Sequence, residues 1–126
     1  MILKSFEINK IKLNKNRFIL FYGKNEAFKD QVIKLITKGK QIFNFEEKEV
    51  LESKNSFLES VANKSLFEEQ KVIIIKRASD KILSIIEGIH SKNLIDINII
   101  VNADELEKRS KLRSFFEKNK EHICVP

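Results

Sequence analysis

Gly23 and Lys24 are the first residues in the chain that could bind phosphate, since they stand at the end of the apolar run RFILFYG and precede an amphipathic stretch. A phosphate loop at such a turn needs several glycines, whose backbone N–H groups close on the phosphates, followed by Lys and Ser or Thr. Here the next glycine is Gly39, and Lys24 follows Gly23 directly, which is the wrong spacing. The sequence therefore predicts no ATP hydrolysis.

Metal chemistry has few candidate ligands, because the chain holds only two histidines, His90 and His122, and one cysteine, Cys124. Neither histidine belongs to a ligand pattern such as HxxxH or CxxC, so we expect both at the surface or at strand ends. Cys124 lies in a short apolar run, where an unreactive core thiol is typical. A lone cysteine fits a reducing, cytoplasmic compartment. We expect no metal, no cofactor and no catalytic acid/base pair.

Leu66 and Phe67 suggest apolar recognition, because they lie side by side among charged residues in the stretch NKSLFEEQ. Large apolar residues just before a strand are usually buried in the core. However, the preceding segment already has its own core residues in Phe57, Leu58 and Val61, and the charged neighbours favour a solvated environment. The residues alone leave both interpretations open, a core pair or an exposed contact surface.

Strands and helices alternate along the chain. Apolar runs predict strands at RFILFYG, QIFNF, KVIIIK, IDINIIVN and HICV. Helical spacing predicts a first helix from Asn25 to Gly39. Between Glu46 and Asn63 it predicts two helical pieces, a short one around Val50 and Leu51 and then one from Asn55 or Ser56. Two more helices are predicted, one in DKILSIIEGI ending near Gly88 and one in SKLRSFFEKN. In the first helix the predicted apolar face consists of Phe28, Val32, Leu35 and Ile36.

This alternation predicts an α/β fold, a three-layer sandwich with a mainly parallel five-stranded sheet and helices on both faces. With 126 residues, the chain is the size of a single domain, residues 1–126. Its apolar runs are too short for a membrane helix. Residues 1–17 are ambiguous between a small extra strand and a short helix.

Charge is unevenly distributed within a total of +6. Residues 1–45 carry ten Lys or Arg against three acids, a net +7, whereas residues 46–70 carry seven Glu against three Lys, a net −4. A segment of net −4 is a poor surface for phosphates, so we expect weak or indirect contact with DNA. A basic DNA-binding module formed by residues 1–45 remains an alternative.

Three stretches taken together, FILFYGKNEAFKDQVIKLI, SLFEEQKVIIIKRAS and IIVNADELEKRSKLRSFFEKN, resemble the delta subunit of the bacterial DNA polymerase III clamp loader. The similarity covers about residues 18–125, and its most specific piece is LEKRSKLRSFF. The resemblance implies the N-terminal domain of a longer subunit, with an AAA+-like fold that has lost its phosphate loop and has no catalytic activity. Contacts with other clamp-loader subunits would lie in further domains.

In that family a helix ends in a Leu-Phe pair that enters a hydrophobic pocket of the sliding clamp. The resemblance implies that Leu66 and Phe67, preceded by Ser65, form this pair and help to open the clamp ring for loading onto DNA. Clamp-binding peptides favour Gln three residues before the Leu and an apolar residue two before it, where this chain has Asn63 and Lys64. The departure implies a lower affinity.

Two further expectations follow from the residues. The segment LEKRSKL is interpreted as structural, with Ser110 capping the last helix and with Lys108, Arg109 and Lys111 facing solvent. A nucleotide-binding, P-loop-like domain with an unusual phosphate site remains the main alternative function.

Overall fold

The computed structural model describes residues 2, 5–13, 17–64, 70–92, 94, 97–118 and 123–125. The strands are β1 (Phe18–Phe21), β2 (Gln41–Glu46), β3 (Lys71–Ala78), β4 (Ile97–Ala103) and β5 (Ile123–Val125). The helices are α1 (Glu26–Ile36), α2 (Glu47–Glu52), α3 (Lys54–Lys64), α4 (Leu83–Ser91) and α5 (Lys111–Lys118). Short 3₁₀ turns cover Ser5–Lys10 and Asp80–Ile82.

All described strand pairs are parallel, and the order across the sheet is β2-β3-β4-β1-β5. Four strands form the body of the sheet, and the three-residue β5 pairs with the outer side of β1. Strands β3 and β4 are apolar on both faces, which is typical of a parallel sheet covered on both sides. The predicted α/β fold, with a parallel sheet and helices on both sides, is confirmed.

Two hydrophobic clusters occupy the two faces of this sheet. On one face, α2 to α5 cover the side chains that alternate along β1, β3 and β4, among them Leu20, Ile73 and Ile99. On the other face, α1 and residues 11–13 cover the alternating set that includes Ile19 and Ile74. One face therefore depends largely on a single helix for its cover.

Helix α1 buries most, but not all, of its predicted apolar face. Val32 and Ile33 are buried, whereas Leu35, predicted to face the core, is 64% exposed. Lys29 is buried with an exposure of 3%. Phe28, Val32 and Ile36 of the predicted face do pack against the cluster on this side of the sheet, so the prediction was wrong at Leu35 and missed the buried Lys29 and Ile33.

Two predicted helix ends were wrong. α4 continues through Gly88 to Ser91, because Ile89 is buried at 2% exposure and this packing outweighs the roughly 1 kcal/mol cost of a helical glycine. α1 ends at Ile36, before the predicted Gly39. Gly39 adopts φ +79° inside the turn that follows the helix, a left-handed conformation that favours glycine.

The N-terminal region matches one of its two predicted alternatives, since the described part contains a short 3₁₀ helix at Ser5–Lys10.

The longest helices, α1 and α3, have 11 residues each. Among the residues that the structure describes, no helix has the length and apolar character needed to cross a membrane.

Replacing Leu112 with Ala should lower the free energy of unfolding by about 2–5 kcal/mol, because Leu112 is fully buried and the surrounding core cannot fill the cavity. The same change at the exposed Leu35 should cost less than about 0.5 kcal/mol. Urea unfolding measures both variants. Equal losses would contradict the assigned orientation of α1.

Candidate functional site

The carboxyl edge, where the parallel strands end, is the usual place for a ligand site in an α/β fold. The chain leaves β1 into α1 on one face of the sheet and leaves β4 towards α5 on the other face. Adjacent strands whose connections diverge in this way leave a crevice between them. A phosphate site would therefore lie between the ends of β1 and β4.

The turn after β1 is closed by bonds within the chain. Gly23 adopts φ +117°, and its N–H donates to the carbonyl of Asp104 at 3.2 Å. The N–H of Phe28 donates to Oδ1 of Asn25 at 3.0 Å, which confirms Asn25 as the cap of α1. A phosphate loop needs N–H groups free to face an anion, and two donors at this position are already engaged.

Lys29 fills the crevice. Its Nζ donates to the carbonyl of Ala103 at 2.7 Å and to Oε1 of Glu26 at 2.5 Å. The side chain is almost fully buried, whereas the Glu26 carboxylate is 55% exposed. The ammonium of Lys29 thus satisfies groups of its own fold. The spacing of Lys29 from Val32 and Ile33 was the sequence signal that could have revealed its burial.

A pocket of about 330 Å³ lies beside this crevice and is lined by Glu26, Asp30, Lys76, Arg77, Asn102 and Asp104. Carboxylates outnumber cations in this lining, and the guanidinium of Arg77 is already paired with Glu46 at 2.7 Å. Asn102 is 4% exposed, and its Oδ1 has no donor in the described part of the chain. With Glu26 paired to Lys29 and Arg77 paired to Glu46, the lining has no excess of positive charge to attract a polyphosphate ligand.

Acidic side chains elsewhere at the carboxyl edge connect neighbouring segments. The Glu47 carboxylate, at the start of α2, accepts hydrogen bonds from the N–H of Ser79 and, at 2.8 Å, from its hydroxyl. Asp80 accepts from the Ser110 hydroxyl and from the N–H of Leu112. Glu47 and Asp80 therefore hold β3 against α2 and α5.

The predicted helix cap and solvent-facing basic residues of LEKRSKL are confirmed. The N–H of Arg113 donates to Oγ of Ser110 at 3.2 Å, so Ser110 caps α5. Lys108, Arg109 and Lys111 are exposed.

Of the candidate metal ligands, His90 and Cys124 lie in different elements of the described structure. His90 is exposed in the last turn of α4, with its ring edge-on to Phe18 and Phe115 at centroid distances of 5.6 and 5.7 Å. Cys124 lies in β5 opposite Leu20, and His122 falls outside the described residues. Within the described ranges, no three His, Cys, Asp or Glu side chains form a metal-binding group.

At the opposite, amino edge of the sheet, the strands begin and α3 ends. Lys64, the last residue of α3, donates from Nζ to Oγ of Ser60 at 2.5 Å. The same ammonium lies 4.7 Å from the ring centroid of Phe43 in β2, a cation–π contact. The end of α3 is thereby tied to the edge strand of the sheet.

Gln70, just before β3, is held by two side-chain bonds. Its Nε2 donates to Oδ1 of Asn98 at 2.6 Å, and its Oε1 accepts from Nζ of Lys40 at 2.8 Å. Asn98 is 1% exposed and donates from Nδ2 to the carbonyl of Leu13 at 2.7 Å. Sequence analysis missed this network, although a polar Asn98 inside the apolar run of β4 was a signal for it.

Only two of the five predicted clamp-binding residues can be located. Asn63 is exposed, and Lys64 is partly buried with the contacts given above. Ser65, Leu66 and Phe67 lie outside the described residues. The prediction for Leu66 and Phe67 therefore stays a prediction.

Comparison of the sequence with models of known protein families and with curated proteins finds no match.

Replacing Lys29 with Met should destabilise the fold by about 1–3 kcal/mol, because the buried carbonyl of Ala103 loses its side-chain donor. The same substitution at Lys34, exposed in the same helix, should change stability by less than about 0.5 kcal/mol. Urea unfolding of both variants checks the difference. A Lys29 variant as stable as the Lys34 variant would contradict the assigned role.

Titration of the chain with ATP and Mg²⁺ should show no saturable micromolar binding, because two backbone donors at the turn are engaged and carboxylates line the adjacent pocket. Calorimetry measures binding, and phosphate release measures turnover. ATP turnover that disappears in Lys24→Ala would favour the nucleotide-binding alternative.

Proposed function

We propose that this chain is a protein-interaction domain that binds a sliding clamp through Leu66 and Phe67 and helps to open the clamp ring. In this proposal the fold is an AAA+-like module without a phosphate loop, as in the clamp-loader delta subunit that the sequence resembles. The domain performs no catalysis of its own.

The observation that carries the proposal is the anchoring of both flanks of the Leu66–Phe67 segment. On the upstream side, Lys64 contacts Ser60 and the Phe43 ring. On the downstream side, Gln70 bonds to Lys40 and to the buried Asn98. Both flanks are thus fixed at the amino edge of the sheet, and in this proposal the clamp approaches the domain from that edge.

The carboxyl edge supports the same proposal. A P-loop-type fold places its phosphate site after the first strand, at the start of the helix that follows. In this chain that position has one glycine and a buried Lys29 bound to Glu26 and Ala103. A module of this architecture without a working phosphate site is suited to binding a partner and unsuited to phosphate chemistry.

Ring opening would follow from differential binding. A closed ring and an opened ring differ in shape at the interface that separates. A domain that binds the opened shape more tightly shifts the population towards it by the ratio of the two affinities. The energy comes from contacts with the clamp, so the domain itself needs no ATP.

Replacing Leu66 and Phe67 together with Ala should abolish detectable clamp binding. Burying two such side chains contributes roughly 3–6 kcal/mol, a factor of about 100 to 10⁴ in affinity. Surface plasmon resonance with an immobilised cognate clamp measures this loss.

Thermal unfolding of the same double variant is the control for a structural role. The melting temperature should stay within a few degrees of the parent chain, whereas a buried pair would cost about 2–5 kcal/mol per residue. A large fall in melting temperature, or unchanged clamp binding, would overturn the proposal.

A further inference from the structure

Two large apolar side chains are exposed at the end of α1 and the start of β2. Leu35 is 64% exposed and Ile42 is 39% exposed, and neither belongs to the two hydrophobic clusters of the core. A well-ordered turn separates them. Both the N–H and the hydroxyl of Thr37 donate to the carbonyl of Ile33, and the N–H of Lys40 donates to the carbonyl of Thr37. This turn holds Leu35 and Ile42 at the amino edge.

Exposed lysines lie close in sequence to these two side chains. Lys34, Lys38 and Lys40 are exposed, and residues 31–45 contain no Asp or Glu. The group Lys34, Leu35, Lys38, Lys40 and Ile42 is called the basic apolar patch below. Its net charge is +3, counted from its three lysines.

The basic apolar patch adjoins one flank of the Leu66–Phe67 segment. Lys40 donates to the side chain of Gln70, the first described residue after that segment. Ile42 pairs in register with Val72, two residues further along the chain. The patch and the downstream flank therefore share the amino edge of the sheet.

We propose that the basic apolar patch is a second contact surface for the partner that binds Leu66 and Phe67, and that this partner presents acidic side chains around an apolar contact there. The proposal rests on the proposed function. Charge complementarity identifies the acidic character of the partner surface. Exposed Leu and Ile favour a protein over a nucleic acid, because a phosphate backbone offers no partner for apolar side chains in the middle of a contact.

Lysines at the rim of an interface act mainly on the association rate and on its salt dependence. Reversing two of them should lower the association rate constant about tenfold at low salt, with most of the loss removed at high salt. An apolar side chain acts mainly on dissociation, so Leu35→Ser should raise the dissociation rate constant several-fold.

The test measures binding of the 126-residue chain to an immobilised cognate clamp at low and high salt, for Lys34→Glu/Lys38→Glu and for Leu35→Ser. Lys40 is left intact because it also bonds to Gln70. The matched control is Lys48→Glu/Lys54→Glu, which makes the same charge change at exposed positions in α2 and α3, towards the carboxyl edge. We expect the control pair to keep the parent association rate within about twofold.

If the patch variants bind the clamp as the control pair does, this inference is wrong. The proposed function still stands in that case, provided that Leu66→Ala/Phe67→Ala loses clamp binding. Patch variants that weaken binding while Leu66→Ala/Phe67→Ala does not would support the patch and overturn the role of the pair. A fluorescent DNA duplex is titrated in parallel. If Lys34→Glu/Lys38→Glu weakens binding to the duplex and leaves clamp binding unchanged, the patch is a nucleic-acid surface and the inference is wrong.

Discussion

The parallel sheet must be covered on both faces, and the other features of the fold follow from this constraint. Strands β3 and β4 carry apolar side chains on each face, so neither face can be left in water. Four helices cover one face, whereas α1 and a short N-terminal segment cover the other. The rotation of α1 about its own axis therefore decides which of its side chains are buried and which meet solvent.

The orientation of α1 affects both edges of the sheet. At the carboxyl edge it brings Lys29 onto the carbonyl of Ala103 and closes the crevice where a phosphate site would lie. At the amino edge the same rotation leaves Leu35 in solvent beside lysines. One helix thus places an ammonium group against the end of β4 at one edge and leaves an apolar side chain exposed at the other.

Sequence reasoning predicted the fold more fully than the site. The continuous apolar runs and helical spacing were enough for the parallel α/β arrangement, because burial on both faces leaves a strong pattern. The burial of Lys29 and the exposure of Leu35 were missed, since α1 has apolar residues on two overlapping stripes and only packing against Ile19 and Ile74 chooses between them. The end of α4 was wrongly predicted near Gly88 for a similar reason, because the burial of Ile89 outweighs the low helix propensity of glycine. The hydrogen bonds that Gln70 makes join residues far apart in the chain, and the only sign of them in the sequence was the polar Asn98 inside the apolar run of β4.

The order of the strands also has a consequence for synthesis on the ribosome. β2 and β3 pair with each other and are separated by 24 residues between Glu46 and Lys71, so this unit can form early. β1 pairs instead with β4 and β5, and its partner for Phe18 is Ile99. The first strand therefore waits, with its apolar faces unpaired, until most of the chain has emerged from the exit tunnel. During that interval the nascent chain exposes a template for strand pairing with other chains, and a chaperone that shields apolar segments would act on β1.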